Sequence, residues 1–182
     1  LKSSQEKLLE LDSLVLFKNL LKTNTKKRTR ASFTQGNMVA FAYNAKDQTE
    51  IYDKSPLVIV LRTSKSYMLG LNFHWVPRPA RKILVDYILK VNKHNIHKNL
   101  PLVITYKMLV PMIIKLKLIA VIRLYIKSRI SARVMVIPYV YFKRAVYLPA
   151  ENFSNGMSSD QLYRMAVLKS KSRKRNLRKI KK

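Results

Sequence analysis

The chain has 182 residues, enough for one domain with extensions and too few for two ordinary ones. Apolar residues make up 48% of it, which excludes an unfolded tail protein, and 37 Lys and Arg stand against nine Asp and Glu, a formal charge of +28. A fold carrying that charge repels itself unless a polyanion or an acidic neighbour offsets it, so nucleic acid is the expected partner. Cysteine is absent, which excludes disulfides, thiol catalysis and cysteine-held zinc.

The first predicted element is an amphipathic helix over residues 1–21, with Leu8, Leu9, Leu11, Val15 and Leu16 leaning to one side. Glu6, Glu10 and Asp12 interrupt it and no small-residue cleavage site follows, which separates it from a targeting segment. LKTNTKKRTRAS then reads as a linker or an arm that touches nucleic acid through Lys26, Lys27, Arg28 and Arg30. Strands are predicted at MVAFAY (38–43), PLVIVLRT (56–63) and SYMLGLNF (66–73), the last two forming a hairpin across TSKS.

GLNFHWVPRPARKIL (70–84) holds the single tryptophan and reads as a joint from strand to helix. His74 and Trp75 anchor the turn, Pro77 and Pro79 stiffen it, and Pro79 suits a first helical turn, where its missing N–H has no partner to lose. Ile83, Leu84, Tyr87, Ile88 and Val91 recur at helical spacing as the predicted buried face, leaving Arg78, Arg81 and Lys82 to face a polyanion. NKHNIHKN (92–99) is a polar connection. PLVITYKMLVPMIIKLKL is ambiguous between helix and strand, with Pro111 as a break.

From Ile119 the spacing of Ile119, Ile122, Ile126 and Ile130 predicts another helix, with Arg123, Lys127 and Arg129 around it. Met108 to Ile126 is the most lipid-like window, but Lys115, Lys117 and Arg123 near its centre each cost roughly 2.5–3.5 kcal/mol on insertion, so no membrane partner is expected. Strands are predicted again at RVMVIP (133–138) and RAVYLPA (144–150), joined by YVYFK. Arg133, Lys143 and Arg144 add cations there, beside Tyr139 and Tyr141, rings able to stack on bases. The chain closes with a helix capped by Ser158 or Ser159 and a tail in which nine of the last fourteen residues are cations, Arg173, Lys174, Arg175 and Arg178 among them.

Chemistry finds little support in these residues. From Tyr87 to Ala150 there are twelve Lys and Arg and no acid. His74, His94 and His97 have no carboxylate near them in sequence to orient a ring, and nothing completes a metal sphere around His94 and His97. Asp47, Glu50 and Asp53 read as a solvated turn, and Asp86 as a helix-surface partner of Arg81, Lys82 or Lys90. Three glycines leave no phosphate-cradling loop. The expectation is a protein without cofactor, metal or catalytic residue.

The predicted fold is α+β: a small antiparallel β-barrel, SH3-like, or a strongly bent sheet, built from strands near 38–43, 57–63, 66–73, 133–138 and 144–148 with a helical insertion over 79–131. Residues 1–35 form the leading helix and basic linker, 36–153 the barrel domain, and 154–182 the C-terminal helix and basic tail.

The ordered series GNMVAFAYNAK, IYDKSPLVIVL, YMLGLNFHWVP with an R-x-x-L helix behind it, YIKSRISARVMVIP and AVYLPAENF resembles small virion proteins of T-even-like tailed bacteriophages, the DNA end protectors. The resemblance spans Gly36 to Phe153 and places Tyr52, Asp53, Pro56, Gly70, Asn72, His74, Pro77, Arg129, Pro149 and Phe153 on family positions; Ser55 replaces an aromatic residue and Trp75 a tyrosine. It implies a non-enzymatic virion protein, assembled in the host cytoplasm, that binds double-stranded DNA and shields its ends. Two other readings stay open: an adaptor of the phage head, neck or baseplate held by other virion proteins, and a ribosomal protein binding RNA.

Overall fold

The structure is a computed structural model that describes residue 15 and residues 25–27, 31–47, 50–118, 121–148 and 151–168. The predicted leading helix, Arg28, Arg30, Pro149 and the tail with Arg173, Lys174, Arg175 and Arg178 lie outside the described residues, Val15 apart. Six strands, β1 (Thr25–Lys27), β2 (Met38–Tyr43), β3 (Leu57–Thr63), β4 (Tyr67–Asn72), β5 (Ile122–Ile126) and β6 (Ile130–Ile137), form one antiparallel sheet in the order β1-β6-β2-β3-β4-β5. The ladder has two edges, β1 and β5, so the closed SH3-like barrel does not form and the bent sheet does.

Bending is visible in the rings. Tyr125 of β5 meets Phe41 and Tyr43 of β2 edge-on, with centroids 5.4 and 5.0 Å apart, although two strands separate β5 from β2 in the ladder. Phe33, Val39, Val58, Val60, Met68 and Val134 fill the hollow around them. The opposite face carries Met38, Leu57, Ile59, Leu71 and Met135 and is covered by helices. Leu57 to Leu61 are all buried because β3 lies mid-sheet with both faces covered, which explains its unbroken apolar run.

The covering helices are α1 (Arg78–Val91), α2 (Lys93–His97), α3 (Tyr106–Lys115), α4 (Phe142–Ala145) and α5 (residues 159–168). Pro79 does sit in the first turn of α1, which begins at Arg78. The buried face of α1 is Arg81, Leu84, Val85 and Ile88, rotated from the expected one, so that Ile83 and Val91 are exposed. Pro111 lies inside α3 rather than ending it: the ring is exposed, and Leu109 and Met112 hold the helix to the core from the other side. Ser158 caps α5, accepting from Gln161 N at 3.3 Å while Gln161 Oε1 accepts from Ser158 N at 2.8 Å. Among the described residues no helix is long and apolar enough to cross a membrane.

Two predicted elements change type. The helix expected after Ile119 is β5, a turn at Lys127–Arg129 and the start of β6. A spacing of four is close to one helical turn but is also two strand repeats, and here the strand pairing decides. The insertion is therefore helical only as far as Lys115. The strand expected over 144–150 is instead α4 and a following turn, because Phe142, Ala145 and Val146 bury together at spacings of three and four. The basic arm also contributes to the sheet, since β1 pairs with β6 and Phe33 plugs the hollow.

Two glycines are fixed by close approach. A Cβ on Gly70 would collide with Val58 Cγ1 and lie 2.9 Å from Ile59 O, and one on Gly36, at φ +88°, would collide with the Leu102 carbonyl. Gly70→Ala is expected to destabilise the protein by about 1–3 kcal/mol, read as a lower urea midpoint at unchanged slope. An unaltered midpoint would show that β3 and β4 separate at no cost.

Candidate nucleic-acid interface

Side chains that sequence alone keeps apart meet at the end of the hollow. Asp53, 3% exposed, lies 2.8 Å from His74 Nδ1, accepts from Asn72 Nδ2 at 3.0 Å and caps Ser55 N at 3.0 Å. A carboxylate only accepts, so His74 Nδ1 carries the proton. Asn72 also donates to Tyr125 Oη at 2.9 Å, and its Oδ1 accepts from His74 N at 2.8 Å, setting the turn Phe73–Trp75. Burial, with Asp53 adding to it, pushes the Tyr125 phenol far up, so it remains neutral.

Asp53 thus corrects the solvated-turn reading, and His74 does have a carboxylate beside it. Both are sealed: His74 is fully buried, and its Nε2 has no hydrogen-bond partner among the described residues. No substrate atom reaches that nitrogen, so the geometry serves positioning of the loop around Tyr52 and the turn before α1. Phe153 packs edge-on against Trp75 at 5.3 Å, and Arg123 lies over the indole ring, 3.8 Å from its centroid.

Arg81 forms a second buried knot. Its guanidinium donates to Val76 O at 2.9 Å, Val146 O at 3.1 Å, Glu151 Oε1 at 2.6 Å and Ser159 Oγ at 3.0 Å. Burial lowers its pKa and Glu151 opposes that, so the group stays charged. Arg81 is consequently withdrawn from any polyanion, which corrects the expectation for it. Arg78 lies 3.6 Å from the same Glu151 oxygen, and Asp86 pairs with Lys143 at 2.7 Å rather than with a cation of its own helix.

The remaining predicted cations divide by exposure. Lys127 is half-buried, donating to Ser64 O at 2.6 Å beneath the hairpin, and Arg123 is held by Trp75. Lys82, Arg129, Arg133 and Arg144 are exposed. Lys26 and Lys27 are placed by backbone only, opposite Val134 and Arg133 in the β1–β6 ladder. Pro56 and Gly70 are buried, Tyr52 and Pro77 half-buried.

One exterior feature gathers cations without acids. A groove of about 450 Å³ is lined by Lys54 and Arg129 with Tyr52, Ser131, Asn44 and Asn152. Backbone bonds frame it: Asn44 N donates to Arg129 O at 3.1 Å and Lys54 N to Asn152 O at 2.7 Å. Lys54, Asn72, Tyr125 and Glu151 were missed as site residues. Asn72 and Glu151 carried a signal, their places in the family pattern, while Lys54 and Tyr125 gain their roles from partners far along the chain. Among the described residues no three His, Asp or Glu side chains cluster to hold a metal.

These features define a small α+β scaffold whose buried polar groups clamp loops and whose cation-lined groove is built on framed backbone. The chain belongs to the phage T4 terminal DNA protecting protein family, whose sequence pattern matches residues 5–169. The resemblance carried by residues 36–153 is to this family, and it brings the chain into the company of phage virion proteins. No curated protein and no solved structure matches the chain.

Proposed function

We propose that the protein rides in the virion as a non-enzymatic cap on linear double-stranded DNA, protecting its ends by occupying them and neutralising phosphates. The observation that carries this reading is the family match over residues 5–169. The excess of 37 cations over nine acids supports it, because Lys and Arg displace counterions from a polyanion without reading sequence. Lys54 and Arg129 supply the phosphate contacts in the acid-free groove, and exposed Arg133 of β6 extends them. Assembly into the particle takes place in the host cytoplasm, beside other virion proteins.

The test is digestion of a linear duplex by an exonuclease across a salt series. Protection is expected at low salt, with the logarithm of the binding constant falling with the logarithm of salt by a slope of several if about six phosphates are held. Lys54→Ala with Arg129→Ala should reduce that slope by about two. Absent protection by the unaltered protein overturns the reading; protection with an unchanged slope in the double variant removes the groove from it.

A further inference from the structure

The sheet is unfinished at β5. Its partner on one side is β4, and among the described residues no strand pairs with the other side. Asn72 N donates to Val121 O at 2.9 Å and Lys127 N to Ser66 O at 2.9 Å, so the odd residues turn their backbone groups toward β4. In an antiparallel ladder the even residues then turn theirs outward. Ile126 confirms this, its N–H reaching Tyr43 Oη at 3.4 Å across the hollow. Ile122 and Leu124 thus present N–H and C=O groups away from the sheet.

Those groups face a cleft of about 410 Å³ that runs the full length of β5. Its far wall is made by residues 45–47 and 50–53, with Glu50 and Tyr52, and Tyr43 and Tyr67 contribute rings. The strand reads IRLYI, and edge strands are ordinarily guarded by a projecting Lys, a proline or a cover. Here the one cation, Arg123, is folded onto Trp75, while Leu124 is 60% exposed. An apolar edge that no described residue guards, inside an aromatic cleft, fits strand addition, in which main-chain bonds supply affinity and alternate side chains supply choice.

We propose that β5 and this cleft take up an extended segment of a partner protein, with apolar side chains at alternate positions and a Lys or Arg where it passes Glu50. On the wall Glu50 and Asp47 outnumber Lys46 and oppose phosphate, which separates this site from the acid-free groove. A second copy bringing its own β5 would offer Glu50 no cation, because Arg123 of that strand lies over Trp75.

The experiment uses the full chain and two short probes, one peptide alternating lysine with valine and one alternating glutamate with valine. The lysine peptide is expected to bind and to slow hydrogen exchange at the Ile122 and Leu124 amides by about tenfold or more. Glu50→Lys, at an exposed position, should weaken that binding about fivefold or more while duplex DNA binding is retained. Equal binding of both peptides, or binding without slowed exchange at these amides, overturns the proposal. So does self-association that protects them without peptide, or duplex DNA that displaces the peptide and protects the same amides.

Discussion

Arg81→Met is expected to lower the stability by about 3–5 kcal/mol, the cost of removing one member of a buried charge pair. The side chain is fully buried and its loss leaves Val76 O and Val146 O without their donor and takes the 2.6 Å bond from Glu151 Oε1. A fall in the urea midpoint is the readout, and Arg81→Met with Glu151→Leu should recover part of it, because no buried charge is then left alone. A fall below about 1 kcal/mol would mean that water replaces the guanidinium, contrary to the packing around it.

The same pair sets the acid limit. Burial alone would raise the Glu151 carboxyl, but the charge and hydrogen bond of Arg81 more than offset it and hold the group below its ordinary value of 4.5. A carboxyl depressed on folding contributes stability that is complete above its unfolded value and is lost as pH falls through the folded one. The unaltered protein should therefore lose stability below about pH 4.5, and Arg81→Met, which removes the largest influence depressing Glu151 and leaves the smaller one of Arg78, should lose less over that window.

Asp53→Ala is the second large effect, about 2–4 kcal/mol, since it strands two buried donors, Asn72 Nδ2 and His74 Nδ1, together with the Ser55 amide. Trp75 is the only tryptophan and follows His74 directly, so its emission should shift to the red as the turn loosens. Asp53→Asn, which keeps the shape and one acceptor, should cost less. Equal losses from both would assign the effect to charge rather than to hydrogen bonding.

Strands β2, β3 and β4 were legible because their apolar runs are bounded by turns, and α1 because proline marks its first turn. The helix face was misjudged by a rotation that exposes Ile83 and Val91 and buries Val85, and Arg81 reads as a solvent cation until Glu151, 70 positions later, comes to meet it. Asp53 was hidden in the same way, its neighbours in sequence being Lys54 and Ser55 while its decisive partners are 19 and 21 positions on. Family motifs marked Asp53, Asn72 and His74 together but carried no reason for it. The β5–β6 region failed because a spacing of four satisfies both periods, and no local signal separates them.

The bridge between Asp53 and Phe153 has a consequence for the order of assembly. Around it, Ser154 N donates to Tyr52 O, Lys54 N to Asn152 O, and Tyr52 N to Ser154 Oγ across 102 positions. Closing so long a loop gives nothing back until both strands of the bridge are present. A nascent chain emerging from its N-terminus therefore carries Asp53, Asn72 and His74 for most of its synthesis without the strap that seals them. The molecule becomes whole late, when residues 151–154 arrive to fasten a loop made about a hundred residues earlier.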